Sequence, residues 1–292
     1  MTREALFSIL SLVAVPVSLT VGPIGLFAQS GAGRAKAPKG KPTPRTEDGK
    51  VDFSGVYSAP GRAPGDPPSK TGEGYAHNIA RDLDPDDVPM QPWAKALFHK
   101  RFVEDESKDD PEGFCLPMGT PRMTPYPWEI VQTDKLMLML YEGNVHGYRQ
   151  IFLDGRGHDP TVKETYWGDS IGHWEGDTLV IDTVGLGFGD GRNNHSWLDA
   201  DGHPRTSQLH VIERLTRPEL GRVVDTITID DLGAYTRPWT VVEKSSLAPN
   251  WEVQETICNE NQDAHGQNLD AQHLTALPDG VGVHEDIEKR VK

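Results

Sequence analysis

The sequence predicts an all-β protein, built as an antiparallel up-and-down barrel or a strongly curled sheet of eight to nine strands. After Pro127 the chain becomes a series of short β-rich segments separated by turn residues. Turns such as Glu175-Gly176-Asp177 and Ala248-Pro249-Asn250 have the residue types that hairpins use. No helical segments alternate with these strands, which argues against a parallel α/β sheet.

The N-terminal 28 residues have the pattern of a signal peptide. Arg3 supplies the positive start, residues 5–27 are apolar, and Ala28 offers a small residue at the cleavage point. The alternative is an uncleaved membrane anchor, but two prolines within the apolar stretch disfavour a stable spanning helix. The sequence therefore predicts a periplasmic or secreted protein with no membrane span in the mature chain.

The rest of the chain divides by composition. Residues 29–50 are rich in Gly, Pro and Lys and predict a flexible linker. Residues 51–262 predict a single β-barrel domain with an irregular N-terminal arm, and residues 263–292 a polar C-terminal tail. Apolar side chains at helical spacing predict one short helix in that arm, over residues 91–103.

The strands follow in order along the domain. Each is a segment of β-branched, aromatic or alternating residues bounded by turn chemistry. The predicted strands are Trp128–Thr133, Leu136–Tyr141, Tyr148–Leu153, Glu164–Trp174, Thr178–Val184, Gln208–Thr216, Arg222–Asp230, Trp239–Leu247 and Trp251–Cys258.

Charge excludes one class of partner. The first fifty residues hold seven basic and three acidic side chains out of totals of 29 and 44, so the remainder has 22 basic and 41 acidic, a net charge of −19. A domain this acidic is poorly suited to gripping a phosphate backbone. We therefore expect a small-molecule ligand or substrate and no nucleic acid.

The chain has two cysteines, Cys115 and Cys258. Two are too few for a disulfide-rich miniprotein or a cysteine-based zinc cluster. Export would favour a disulfide between them, with two buried thiols as the alternative. Such a bond closes a loop of about 140 residues and contributes roughly 4–5 kcal/mol in the chain-entropy model.

The last four predicted strands share an unusual feature on one face. That face holds their tryptophans and most of their aliphatic residues, so we expect it to point inward. Each strand places one acid on it, and hairpin symmetry about Glu219, Ala234 and Pro249 aligns the acids into one row. The four acids are Glu213, Asp225, Glu243 and Glu255.

Such a row is electrostatically costly. Two carboxylates about 5 Å apart repel by roughly 3 kcal/mol at an effective dielectric constant of about 20. The acids must therefore be protonated with raised pKa values, be hydrated in a water-filled cavity, or face cations. Candidate cations are Arg149, Arg156, His173 and His195, and a bound divalent metal is another solution. Two alternatives stay open: the row pairs with buried arginines and only sets strand register, or the inward face is assigned the wrong way round.

These residues predict an exported small-molecule enzyme that uses carboxylate acid/base chemistry in a barrel cavity, as a lyase, isomerase, cyclase or hydrolase. Glu243 or Glu255 would transfer the proton, with Asp225 and Glu213 in the same site. The predicted substrate-binding residues are Arg149, Trp239, Trp251, His173 and His195. The alternative is a non-catalytic exported binding protein for a small, largely apolar ligand. No cofactor can be identified from the sequence.

Three further motifs have a structural interpretation beside a functional one. The segment from Gly168 to Gly172 matches G-x-S-x-G, but it continues into a hairpin and not into the helix of a nucleophile elbow. The residues His195, Asp199, Asp201 and His203 fall in a long connection but match no zinc or calcium spacing, so a turn is the simpler interpretation. His210 is predicted to lie on the outer face of its strand.

Several segments resemble those of a family of uncharacterised exported bacterial proteins, over residues 45–262, which implies no particular activity. The opening Gly55-Val56-Tyr57 is also similar to the Gly-x-Trp start of lipocalin-like (calycin) barrels, with Tyr in place of Trp. The segments that carry the family resemblance are residues 52–57, 115–122, 149–156, 174–180 and 258–261.

Overall fold

The computed structural model describes residues 40–58, 78–122, 126–142, 147–161, 163–187, 197–255 and 258. The predicted signal peptide, most of the linker and the predicted C-terminal tail lie outside these residues.

The described chain forms one nine-stranded sheet that nearly closes into a barrel, as the predicted fold class requires. Most of its strands alternate between buried and exposed positions, the pattern that produces one inward and one outward face. The strands are β1 (Gly55–Tyr57), β2 (Trp128–Gln132), β3 (Leu136–Tyr141), β4 (Gly147–Phe152), β5 (Asp169–Glu175), β6 (Thr178–Val184), β7 (His210–Glu219), β8 (Arg222–Asp230) and β9 (Trp239–Ser246).

The strands neighbour one another in sequence order. Every pair in this order is antiparallel except β4 and β5, which run parallel through Ile151 opposite Ser170 and Phe152 opposite Ile171. A bridge between Tyr57 and Leu247 brings β1 next to the end of β9. The Ser58 N–H also donates to the Ser246 carbonyl at 2.9 Å, so the first and last strands meet.

One predicted strand is wrong, and its place is taken by another. Residues 251–255 are not in a strand, although Trp251–Cys258 was expected to be the last one. The edge of β9 that it would pair with is occupied by β1, where Ala248 N–H donates to the Val56 carbonyl. β1 is only three residues long, too short to show a periodic pattern.

A single α-helix, α1 (Pro92–His99), lies in the N-terminal arm and continues through a π-helical turn over Lys100–Glu104. This matches the helix predicted over 91–103. Pro92 takes the first helical position, where its missing N–H costs nothing. Ala94 and Leu97 are buried, and Ala94 belongs to the core cluster around Trp239.

The core has two apolar clusters. The first joins α1 and residues 79–88 to the inward side chains of β8 and β9 around Trp239. The second fills the barrel between β2, β3, β6 and the ends of β7 and β8, with Phe53 and Tyr57 among its fully buried members. The functional residues described below lie where polar side chains interrupt this inward face.

Cys115 and Cys258 form the predicted disulfide, across a sequence separation of 143 residues. Cys115 follows a short 3₁₀ helix (Pro111–Phe114), so the bond ties the N-terminal arm to the chain that follows β9. Among the described residues, no helix has the length and apolar character needed to cross a membrane.

Candidate functional site

Three of the four predicted acids come together inside the barrel. Asp225 on β8 lies directly opposite Glu243 on β9, as the hairpin symmetry about Ala234 predicts. Glu213 and Glu243 are only 3% and 4% exposed. Asp225 is partly buried, and its Oδ1 atom is closed to solvent. The inward face assigned from the sequence is therefore correct for these three residues.

The predicted alignment of Glu213 with Asp225 is wrong by two residues. Glu213 pairs with Ile227, and Leu215 takes the position opposite Asp225. The register shifts between Thr216 and Glu219, where β7 and β8 form an irregular hairpin end, and this shift moves the symmetry centre. The acids thus form a staggered cluster, which we call the acid cluster (Glu213, Asp225 and Glu243).

Glu255 does not join the acid cluster. It is exposed and lies beyond β9, because the strand that would have carried it inward is not formed. The predicted pairing of Glu243 with Glu255 about Pro249 is therefore absent from the sheet.

Arg149 on β4 neutralises one member of the cluster. Its Nη1 donates to Glu213 Oε1 at 2.8 Å, and its Nη2 donates to Glu213 Oε2, a bidentate ion pair. Its other donors reach Ser170 Oγ at 3.0 Å and Thr183 Oγ1 at 2.7 Å. Burial alone would lower the pKa of Arg149, but the adjacent Glu213 carboxylate raises that pKa above its ordinary value. Arg149 is thus a fully paired, charged anchor for Glu213.

The same contacts define the environment of Ser170. Its hydroxyl accepts from Arg149 and shares a hydrogen bond of 2.9 Å with Thr183, and the residue is 1% exposed. This arrangement is a buried positioning network on the sheet and not a nucleophile elbow.

Among the described residues, Asp225 and Glu243 have no such bidentate ion pair, and the charges of Arg149 on Asp225 and of Arg81 on Glu243 are outweighed by burial. Asp225 Oδ1 and Glu243 Oε1 are both buried without a hydrogen-bond partner. Burial, followed by the charge of Glu213, raises the pKa of Glu243 to about 8. Burial and then the charges of Glu213 and Glu243 raise the pKa of Asp225 well above its ordinary value. The cost of grouping the acids is therefore met in part by protonation of Glu243 near neutral pH, and the pKa of Asp225 shifts in the same direction.

The acid cluster lines a small cavity of about 20 Å³, which is room for about one water molecule. Aromatic rings line the same cavity. Tyr141 and Trp167 stack with centroids 4.9 Å apart and planes at 4°, and Trp128 stacks on Tyr141 at 6.4 Å. The carboxyl groups thus share the cavity with an apolar, aromatic wall.

A second buried arginine, Arg122, also lines this cavity. Its Nη1 and Nη2 donate to the two carboxylate oxygens of Asp110 at 2.7 Å each, and Nη2 also contacts Glu112 at 2.5 Å. Both arginines that line the cavity are therefore paired with acids other than Asp225 and Glu243.

The long connection between β6 and β7 contributes a buried pair, Asp199 and His203. His203 Nδ1 lies 2.5 Å from Asp199 Oδ2, and the Asp199 carboxylate accepts from the backbone N–H groups of Ile79, Gly202 and His203. Burial alone would raise the pKa of Asp199, but His203 and these hydrogen bonds lower it. The turn expected at Asp199-Ala200-Asp201-Gly202 is formed, and the buried pair with His203 was not foreseen.

The remaining predicted binding residues lie in different places. Trp239 is buried and inward, with its ring centroid 6.3 Å from that of His203. Trp251 is half-buried outside the sheet. His173 is exposed on the outer face, 3.4 Å from Glu175. His195 lies outside the described residues, and Arg156 is paired with Asp154 on the surface.

On the outer face, His210 contacts Asp182 at 2.7 Å, and His158 lies between Asp169 and Asp182. His210 is therefore on the outer face, as predicted. Within the described ranges, no group of three or more His, Cys, Asp or Glu side chains is arranged to hold a metal ion.

The chain matches no known protein-family profile, no curated protein and no solved structure. The barrel-like fold is seen directly in the structure, whereas the resemblances to lipocalin-like barrels and to exported bacterial proteins remain predictions.

Proposed function

We propose that this protein is an exported enzyme that performs acid/base chemistry on a small molecule, with Glu243 as the proton donor and acceptor. The observation that carries the proposal is the inward pair of Asp225 and Glu243, which burial keeps at raised pKa values and which lines one cavity with three aromatic rings. A general acid or base works best when its pKa lies near the working pH. The pKa of about 8 at Glu243 meets that condition.

The chemistry follows from the protonation state. Protonated Glu243 donates its proton to an oxygen or carbon atom of the substrate and becomes a carboxylate. It regains a proton from another position of the substrate in an isomerase or lyase, or from water in a hydrolase. Asp225, directly opposite, adds a second carboxyl group with a raised pKa, and the Arg149–Glu213 ion pair holds the third carboxylate in place.

The size of the cavity shapes this proposal. At about 20 Å³ it accepts only the reacting group of a substrate, unless binding moves the lining side chains. The aromatic wall of Trp128, Tyr141 and Trp167 favours an apolar or flat group beside the acids. The same wall favours a second candidate function, a carrier of such ligands that performs no reaction.

The test compares the protein with its Glu243→Gln variant. Both are incubated with a small-molecule extract of a bacterial culture, and the compounds consumed and retained are identified by mass spectrometry. We expect the wild-type protein to consume a compound that Glu243→Gln leaves intact. Because Gln keeps size and polarity, the variant should still retain that compound, with affinity within roughly tenfold.

The matched control is Glu252→Gln, which changes an exposed acid of the same length and should leave turnover intact. Retention of one unchanged compound by all three proteins would instead identify a carrier. A Glu243→Gln variant that neither consumes nor retains any compound, but loses roughly 3–5 kcal/mol of stability, would reduce the acid cluster to a structural role.

A further inference from the structure

A second pocket lies outside the acid cluster, between α1 and the chain segment at residues 78–90. It has a volume of about 390 Å³, within the usual range of ligand pockets. Its walls are mainly apolar. The side chains that form them are Leu83, Val88, Met90, Phe98, Phe102 and Val103.

The rim of this pocket exposes apolar surface. Phe102 and Val103, in the π-helical turn after α1, are 44% and 56% exposed. Two large apolar side chains at the mouth of a pocket are typical of a site that an apolar ligand completes. The charged lining residues Lys95 and Asp86 form an ion pair at 3.3 Å, so neither presents an unbalanced charge.

The polar end of the pocket is built around His203. Its ring is 2% exposed and stacks on Phe98 with centroids 4.2 Å apart. In the tautomer that places the proton on Nδ1, toward the Asp199 carboxylate, Nε2 is an acceptor. No hydrogen bond reaches Nε2 from the described part of the chain.

Asn78 adds a second acceptor at the same end. Its Nδ2 donates to Asp201 Oδ2 at 2.9 Å, which fixes the orientation of the amide. Asn78 Oδ1 is buried without a partner, in a residue that is 7% exposed. The polar end therefore offers two acceptors, His203 Nε2 and Asn78 Oδ1, to which no described residue donates.

We propose that this pocket binds a small, uncharged aromatic molecule that carries a hydroxyl group, with the hydroxyl donating to His203 Nε2. The apolar walls accept the ring, and a buried acceptor without a donor selects a ligand that supplies one. This site is separate from the one proposed for catalysis. The inference about this pocket does not depend on the function proposed for the acid cluster.

The test uses two probes of similar shape, 2-naphthol and 2-methoxynaphthalene, titrated by calorimetry. Only the first can donate a hydrogen bond. We expect 2-naphthol to bind about tenfold more tightly, the effect of one hydrogen bond in a desolvated site. Equal affinity for the two probes, or no binding of either, would overturn the proposal.

Three variants locate the binding. His203→Asn keeps a donor near Asp199 and removes Nε2, so it should reduce the preference for 2-naphthol to less than threefold. Phe102→Ser, at the exposed rim, should lower the affinity for both probes by at least fivefold while the fold is retained. Val242→Ser changes an equally exposed apolar residue on the outside of β9 and should alter neither affinity.

Glu243→Gln distinguishes this pocket from the barrel cavity. Probe binding that is lost in Glu243→Gln but unaffected by Phe102→Ser would place the ligand among the acids and overturn the proposal. A preference for 2-naphthol that His203→Asn leaves unchanged would do the same.

Discussion

Glu243 holds a proton because of its surroundings. Strand β9 gives Glu243 an inward position, and β8 places Asp225 opposite it. Strand β7 places Glu213 close enough to raise the pKa of Glu243. Arg149, which lines the same cavity, is already engaged by Glu213. A carboxyl group in this position is a proton reservoir near neutral pH.

This predicts a specific dependence of stability on pH. The pKa of Glu243 is about 8 in the folded protein and about 4.5 in the unfolded chain, so the folded state holds one more proton between these values. The contribution of protonated Glu243 to the stability of the folded protein is fully present below pH 4.5 and is lost as the pH rises through 8. We expect the free energy of unfolding to fall by up to about 1.4 kcal/mol per pH unit in this window.

Urea titrations of wild type and Glu243→Gln at pH 5, 6, 7 and 8 measure this effect. Glutamine does not titrate, so the variant should lose less stability over the same range. The free energy of unfolding of wild type, taken relative to that of the variant, should therefore fall steadily from pH 5 to pH 8. Parallel curves would mean that Glu243 titrates normally in the folded protein.

At the scale of single residues, the inward position of the acids could be predicted from the sequence, but not all of the side chains that they contact. Alternation along β8 and β9 was enough to place Asp225 opposite Glu243 inside the barrel. The pair of Asp199 and His203 could not be derived in the same way, because it forms only when the long connection folds against Ile79. The spacing of four residues between them was the available signal.

The strands position the site through a few close backbone approaches. Gly168, which precedes β5, has φ of +67°, and a Cβ atom there would lie 2.6 Å from the Val184 carbonyl oxygen. The turn between β5 and β6 has Gly176, with φ of +62° and open space around it. Both positions favour glycine by conformation, but only the first is also crowded.

We therefore expect Gly168→Ala to destabilise the protein more than Gly176→Ala. Gly176→Ala should cost about 1 kcal/mol from its left-handed backbone alone. Gly168→Ala adds the clash with β6 and should cost at least about 2 kcal/mol more. Urea denaturation of both variants measures the difference. Equal losses would show that β5 can shift away from β6 at no cost.

The hairpins were predictable from the sequence because each depends on local turn chemistry and alternation. Strands β3, β6 and β8 match their predicted bounds. The errors arise where a distant segment decides the pairing. β1 displaces the expected last strand from the edge of β9, and the irregular end of β7 shifts Glu213 by two residues.

At the scale of the whole molecule, the disulfide compensates for the irregular arm. Residues 40–58 and 78–122 contain only short elements, β1, α1 and helical turns, joined by irregular chain. Cys115 joins this region to Cys258 and thereby restricts the unfolded chain. The Cys115–Cys258 bond fits a protein of an oxidising compartment.

Replacing both cysteines by serine should lower the free energy of unfolding by roughly 2–5 kcal/mol. The effect acts mainly on the unfolded chain, so the circular dichroism spectrum at low temperature should stay that of a β protein. Reduction of the wild-type protein should reproduce the loss and leave the serine variant unchanged. A variant as stable as wild type would show that the arm is held by its packing alone.

The disulfide also divides the barrel into unequal parts. Strands β2 to β9 lie within the covalent ring that Cys115 and Cys258 close, whereas β1 lies outside it. β1 is held by three residue pairs to β2 and by one bridge to Leu247. Trp128 and Ser245, which flank this seam, both line the cavity of the acid cluster. Because β1 lies outside the covalent ring, its attachment to β2 and β9 depends on hydrogen bonds and packing and not on the disulfide.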